Sequence, residues 1–404
     1  MKVKYLIMIV AGLFLFACSE NEKTEKELTF LVYMAADNSL SEFATSDINQ
    51  MELADFDPEK TNVIVQADFL YNAEDPSCRR WQIYPDGLYD EIVSSPVIDQ
   101  LGEIDSGDWH SLTTFYNWAV AEYPADEYVL SIWSHGNDWY SYPANPNHFC
   151  PDFDSSSWFD IPGKDLQQAF QHFKRKPALV IFDACHMQSL EVLSEIISYT
   201  SKICGSTDIV PNQGFPYHDV ISSLAVESPI SNYDILPQIF VDSYRTGGSQ
   251  NYQGQINQPV NASIINTDVL ADTILTNISE LVTYSLNNNV DRQKFLTARE
   301  RCYEFNDLSI DVDLFQFLNF LLENDLETDL YNISSRLAQQ IFINRDYYNY
   351  PSYFLGNILI TFPEEADLDH WINLRDQYYQ LDFHILTGWG DFISWLLEAD
   401  AYCS

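Results

Sequence analysis

Two apolar runs of strand length, each ending on a reactive side chain, constrain this chain more than any other feature. Tyr128-Val129-Leu130-Ser131-Ile132-Trp133 leads into Ser134-His135-Gly136, and Ala178-Leu179-Val180-Ile181-Phe182 leads into Asp183-Ala184-Cys185. Short apolar runs bounded by polar turns are the pattern of strands buried on both faces, as in a parallel sheet. Ligands of open α/β sheets bind beyond the carboxyl ends of such strands. A general base and a thiol delivered together at that edge have the chemistry of thiol-based acyl transfer. Either residue alone would more often be an ordinary core side chain. Together, 50 residues apart, they point to catalysis.

The surrounding pattern alternates. Leu28 to Met34 and Thr61 to Ala67 have strand composition, and a helix is expected over Ser41 to Leu53. A hairpin is expected near Arg80 to Tyr84, and helical spacing marks Trp109 to Glu122, Lys164 to Phe173 and Ser189 to Tyr199, with a short strand at Lys202 to Gly205. Such βαβα order predicts an α/β fold with a mostly parallel sheet and helices on both faces. Residues 137–163 hold many Ser, Pro, Asn and Asp and no Lys or Arg, which predicts a long loop of functional kind. The second half changes character, with helical patterns at Asp234 to Tyr244, Asp268 to Leu286 and Val312 to Leu322. A late strand, Gly356 to Phe362, is expected to rejoin the sheet. The implied division is a catalytic core over 28–220 and a helical C-terminal region over 221–404.

The amino terminus stands apart. Lys2 and Lys4 precede the apolar run Tyr5 to Phe16, too short to span a bilayer, so residues 1–17 read as an export signal. Ala17-Cys18 resembles a bacterial lipoprotein signal, which makes Cys18 the expected lipidation site and 18–27 a tether. The expected location is the cell envelope, lipid-anchored to a membrane, with plain secretion as the alternative. No later segment is long and apolar enough to cross a membrane. Without residues 1–17, which hold two lysines and no acid, the chain carries 18 basic and 60 acidic residues, a formal charge of −42. Phosphate binding needs clustered Lys and Arg, so nucleic acid is excluded as a partner. Acidity of this size favours solubility first and attraction of cationic substrates second. Apart from Cys18 and Cys185, the cysteines Cys78, Cys150, Cys204, Cys302 and Cys403 are scattered without zinc-like spacing.

Cys185 precedes a predicted helix, whose positive dipole end favours the thiolate. His135 then serves as base and afterwards as acid. Gly136 leaves the backbone open, so that its N–H and that of Cys185 are the expected oxyanion donors.

At these residues the sequence resembles the clostripain-like cysteine peptidases, relatives of caspases, legumains and gingipains. Val32 to Leu40 resembles the family's opening motif, Trp133-Ser134-His135-Gly136 its histidine motif, and Phe182 to Met187 with Glu191-Val192 its cysteine motif. Pro211-Asn212-Gln213-Gly214-Phe215-Pro216-Tyr217, Ile358 to Pro363 and Thr387 to Phe392 also fit, in the right order. The sequence departs from the pattern at Asn137-Asp138-Trp139, where glycine is usual, and at His186 and Gln188, where a hydrophobic residue and glycine are.

The resemblance implies a caspase-like fold, a His135–Cys185 dyad and cleavage of proteins or peptides after Arg or Lys. Asp183, Asp208 and Asp37 are then the candidates for the acidic S1 pocket, although an Asp at a strand end is often a cap. His186 is expected to point away from the chemistry. Self-cleavage within 137–163 is not expected, since that segment has no Lys or Arg, and the alternative is activation by another protease. The chemistry requires no cofactor. Some family members depend on calcium, and Asp152, Asp154 and Asp160 offer oxygen ligands, but their spacing is not a calcium loop and reads as a solvated acidic loop. The rival reading is a catalytically silent cell-surface binding lipoprotein on the same scaffold.

Overall fold

The computed structural model describes residues 24–398 other than 71–77, 89, 91, 141–147, 227–232, 251–259, 304, 306–309, 344–345 and 351–357. The expected signal, Cys18, most of the tether and Cys403 lie outside the described residues. No described helix is long and apolar enough to cross a membrane.

Strand β1 (Lys26–Ala36) is buried from Leu28 onward because both of its faces are covered. Leu31, Tyr33 and Ala35 enter one core, and Phe30, Val32 and Met34 enter the other. Fully buried Leu31, Phe30, Val32 and Met34 contribute about 1.5–3 kcal/mol each. The further strands are β2 (Thr61–Phe69), β3 (Cys78–Gln82), β4 (Val97–Gly102), β5 (Ala125–Trp133), β6 (Leu179–Asp183), β7 (Lys202–Gly205), β8 (Val260–Asn266) and β9 (Asp346–Tyr350). They form one nine-stranded sheet in the order β9-β8-β7-β6-β5-β1-β2-β3-β4. The five central strands run parallel, and two antiparallel strands flank them on each side.

Helices α1 (Ser41–Glu52), α5 (Tyr217–Val226) and α6 (Leu236–Tyr244) cover one face. Helices α2 (Trp109–Glu122), α3 (Asp165–Gln171) and α4 (Leu190–Ile196) cover the other. Local sequence sets their starts: Asp108 caps α2 by accepting from His110 N, and Ser189 caps α4 by accepting from Val192 N.

The C-terminal third does not form a separate core. Its helices, including Thr276–Asn287, Leu314–Leu322 and Trp389–Leu397, share the α2–α4 core. Strands β8 and β9 also belong to the main sheet, so the expected division at residue 220 is not a division of this fold. Among the described residues the late strand does not rejoin the sheet. Leu359–Thr361 pairs antiparallel with Asp311–Asp313, and Leu359 N donates to Gln188 O at 3.0 Å.

The expected loop over 137–163 also has structure, an antiparallel hairpin of Phe149–Asp152 with Ser157–Phe159. The segments around the site satisfy its backbone. Cys150 N donates to His135 O, Phe153 N to Asp37 O, and the Asn38 amide to Pro151 O. Cys150 is therefore a buried cysteine rather than one in a loose loop.

Candidate active site

Strand register alone brings the two reactive residues together. Trp133 of β5 pairs with Asp183 of β6, so His135 and Cys185 each lie two residues beyond a matched pair. Neighbouring strands are about 4.8 Å apart, which fixes the two side chains as neighbours at the carboxyl edge. Both line one cavity of about 190 Å³ with Trp133, Asp183, Pro211 and Gly214. Gly136 is required by close approach: a Cβ there would run into the Cys185 carbonyl oxygen and sit 3.0 Å from Ala184 Cβ.

The thiol of Cys185 is held by the loop after β7. Val210 N donates to Sγ at 3.3 Å, and Sγ donates to Val210 O at 3.7 Å. Helix α4 begins only at Leu190, so the helix dipole is more distant than the sequence implied. His135 Nε2 lies 2.9 Å from Ser39 Oγ. Burial lowers the imidazole to about 4, so it is neutral near pH 7 and able to accept a proton. The strands carrying these groups are also cross-tied. Ser134 Oγ donates to Ala35 O at 2.7 Å, and the Asn38 amide donates to Ala35 O at 2.8 Å.

His186 also lines the cavity and does not lie on a helix. It is buried with φ +60°, and its Nδ1 lies 3.0 Å from Thr207 O. Asp138 has φ +57°. Two of the residues that depart from the family pattern, Asp138 and His186, thus stand at left-handed positions, and Asp and His are among the residues that tolerate them.

Asp183 forms the floor of the cavity. Its Oδ2 accepts from Phe215 N at 3.1 Å and from Tyr217 Oη at 3.0 Å. Gly214 closes over it with φ +61°, where a Cβ would stand 2.8 Å from the same oxygen. Burial raises Asp183 to about 7. Asp47 lies beside it, buried on α1, with Oδ2 accepting from Trp133 Nε1 at 2.8 Å, and burial and the Asp183 charge raise it well above the carboxylate range. The sequence reading missed Asp47. Its signal was a carboxylate on the apolar stripe Ala44, Ile48 and Met51 of α1.

Asp208 is buried next to the cavity-lining Ile209, whose N–H donates to its Oδ1 at 2.7 Å. Asp37 is not brought to the cavity. It continues the face of β1 that carries Leu31, Tyr33 and Ala35, whereas Asp183 continues the face of β6 that carries Leu179 and Ile181 in the opposite core. There the Asp37 carboxylate meets Asp68, Glu103 and Asp152. Burial and the charges of Asp152, Asp154 and Glu103 raise it to about 7. Asp152 is buried rather than solvated, while Asp154 and Asp160 are exposed. No disulfide joins the described cysteines.

A thiol and a neutral imidazole at the carboxyl edge of a parallel sheet, beside a buried acid, are groups that a thiol-dependent hydrolase needs. The sequence matches the clostripain family over residues 32–367, and the chain belongs to that family of cysteine peptidases. Its fold is the mostly parallel, caspase-like arrangement of the solved C11 proteases. A secreted C11 cysteine protease from Bacteroides thetaiotaomicron, in complex with an irreversible peptide inhibitor, is 22% identical at a TM-score of 0.66. An inactive zymogen C11 protease from Parabacteroides distasonis is 20% identical at 0.65. In both cases 90% of this chain and 99% of the other are covered. No curated protein matches the sequence.

Proposed function

We propose that this peptidase cleaves peptide bonds after Arg or Lys with Cys185 as nucleophile and His135 as base. The observation that carries the reading is the matched register of β5 and β6, which sets both residues and Asp183 around one cavity. His135 takes the thiol proton as Sγ attacks the scissile carbonyl, then gives it to the departing amine, and water hydrolyses the resulting thioester. The N–H groups of Gly136 and Cys185 serve the oxyanion. Asp183, supported by Asp47 and flanked by Asp208, supplies negative charge for a cationic P1 side chain. Export through residues 1–17 and a lipid anchor at Cys18 place the enzyme at the cell envelope, a reading supported by the pattern of those residues and by the secreted relative.

Fluorogenic peptides that differ only at P1 (Arg, Lys, Asp, Asn or Leu) test the specificity. Arg and Lys peptides are expected to turn over, and Asp183→Asn is expected to lower kcat/KM for them by about 100-fold or more. Below pH 7 Asp183 is protonated and neutral, so kcat/KM for the Arg peptide is expected to rise as pH increases through about 7. Equal rates for Arg and Leu peptides would remove Asp183 from the S1 role.

Ser39 is a positioning residue for the base. As acceptor from Nε2–H it selects the tautomer whose Nδ1 lone pair takes the thiol proton. Ser39→Ala is expected to lower kcat roughly tenfold with little change in KM, and Ser39→Thr to restore most of it. A change confined to KM would assign Ser39 to substrate binding instead.

A further inference from the structure

The chain enters its sheet at the edge farthest from the chemistry. β1 starts at Lys26, beside Ala125 at the start of β5, and the parallel central strands carry His135 and Cys185 beyond their other ends. β1 has 11 residues, so the two edges stand roughly 30 Å apart at about 3.3 Å per residue. The turn from α3 into β6 lies at the entry edge, two strands from β1, and carries Lys174, Arg175 and Lys176. All three are exposed. Most other described bases rest against a carboxylate, as Lys60 does on Glu27, Lys164 on Glu195 and Lys202 on Asp234. The side chains of these three form no hydrogen bond or ion pair among the described residues, and Arg175 has only the Tyr128 ring, 5.9 Å away. In a chain of 60 acidic and 20 basic residues, three adjacent bases left unpaired are an exception. A cation near a helix end complements the dipole, but α3 ends at Gln171 and the effect falls off within a turn, so it accounts for Lys174 at most.

We propose that Lys174, Arg175 and Lys176 face the anionic headgroups of the membrane that holds the lipid anchor, so that the anchored enzyme stands with its active site turned away from the bilayer. This rests on the anchor at Cys18 proposed above. Eight residues lead from Cys18 to Lys26 and can span at most about 28 Å, so the anchor keeps the entry edge close to the surface. Three bases are too few to bring so acidic a chain to an anionic surface, but in an anchored chain they decide which side faces it. Exposed Glu122 and Asp126, on the α2–β5 turn at the same edge, pair with none of the three. The rest of the chain, with its large excess of acids, is repelled outward. The consequence is one of reach. The bonds cut lie roughly 30 Å or more above the bilayer, in soluble or long-stalked proteins rather than in segments next to the membrane.

Orientation is read without turnover, so this inference and the peptidase reading fail independently. The full chain, lipidated in a bacterial host, is added from detergent to preformed vesicles of mixed phosphatidylglycerol and phosphatidylcholine, or of phosphatidylcholine alone. Flotation reads the anchor, with Cys18→Ser as control. Surface lysines are then acetylated with a water-soluble ester and quantified by mass spectrometry against the same chain in detergent. On the anionic vesicles Lys174 and Lys176 are expected to react at least about fivefold more slowly, and Lys164, at the opposite end of α3, at an unchanged rate. The protection is expected to be lost on phosphatidylcholine alone and in about 1 M salt, where screening shortens to roughly 3 Å. Lys60, at the entry edge before β2, is expected to be protected as well, and to lose that protection in the triple variant Lys174→Gln, Arg175→Gln, Lys176→Gln, which still floats and unfolds at the wild-type midpoint. A chain that does not float removes the anchor at Cys18, and this inference with it. A chain that floats with Lys174 and Lys176 labelled as fast as in detergent, or protected equally on neutral vesicles, leaves the anchor standing and overturns the inference.

Discussion

Cys185→Ala is expected to reduce hydrolysis of an Arg peptide to the background, a loss of about 10⁴-fold or more. The informative comparison is with His135→Ala and the double variant. A nucleophile and its base act as one unit, so removing either leaves the other idle, and the double variant is expected to lose no more than Cys185→Ala alone. If the two losses multiplied, the residues would be acting independently and the dyad would be wrong. Cys185→Ala is small and lies in a half-buried site, so the fold should persist and its unfolding midpoint should stay within a few degrees of wild type. Retained hydrolysis in a folded Cys185→Ala protein would remove the thiol from the mechanism.

The second large effect is a reversed dependence of stability on pH. Burial raises Asp183 to about 7 and Asp68 to about 9, and it raises Glu191, Asp311 and Asp138 as well. A carboxyl whose folded value is raised contributes stability that is complete below its unfolded value near 4 and is lost as pH climbs through the folded value. Between those limits each fully buried group changes stability by about 1.4 kcal/mol per pH unit. His135 opposes this. Its lowered value means that the unfolded chain gains a proton first as pH falls below about 6.5, but it is one group against several. In EDTA the unfolding midpoint is therefore expected to be higher at pH 5 than at pH 8, by at least 5 °C on the scale of roughly 2–4 °C per kcal/mol. A midpoint that falls between pH 8 and pH 5 would show that these carboxyls are ionised in the folded protein.

The parts of this molecule legible in the sequence were those fixed by local pattern. The runs 128–133 and 178–182 were unbroken and flanked by polar turns, so the two strands and the residues at their ends were recoverable before any pairing was known. The helix spanning 109–122 was marked by its apolar spacing. What escaped depends on which strand lies beside which. Asp68 ends an ordinary-looking strand and Glu103 follows another, and only the β1–β2 adjacency and the approach of the hairpin bring them to Asp37. Asp37, one of three candidates for the pocket, continues the face of β1 opposite Asp183, and the side-chain alternation that decides this has meaning only relative to a neighbouring strand. The late strand 359–361 was legible as a strand, but its partner at 311–313 lies in a segment whose pattern reads as helix.

The loop after His135 has a consequence for the order in which the enzyme comes into being. Trp139 Nε1 donates to Thr361 Oγ1 at 2.8 Å, Tyr140 Oη donates to Asp311 at 3.2 Å, and Asp138 accepts from the Ser189 hydroxyl. Glu191, just inside α4, accepts from Thr361 N and from Tyr378 Oη. As the chain is synthesised from its amino end, His135 and Cys185 both emerge long before Asp311, Thr361 and Tyr378, which anchor the loop after His135 and the start of α4. Completion of the site thus waits on a late segment, and a nascent peptidase carries its reactive thiol through most of its emergence without the framework that would arm it.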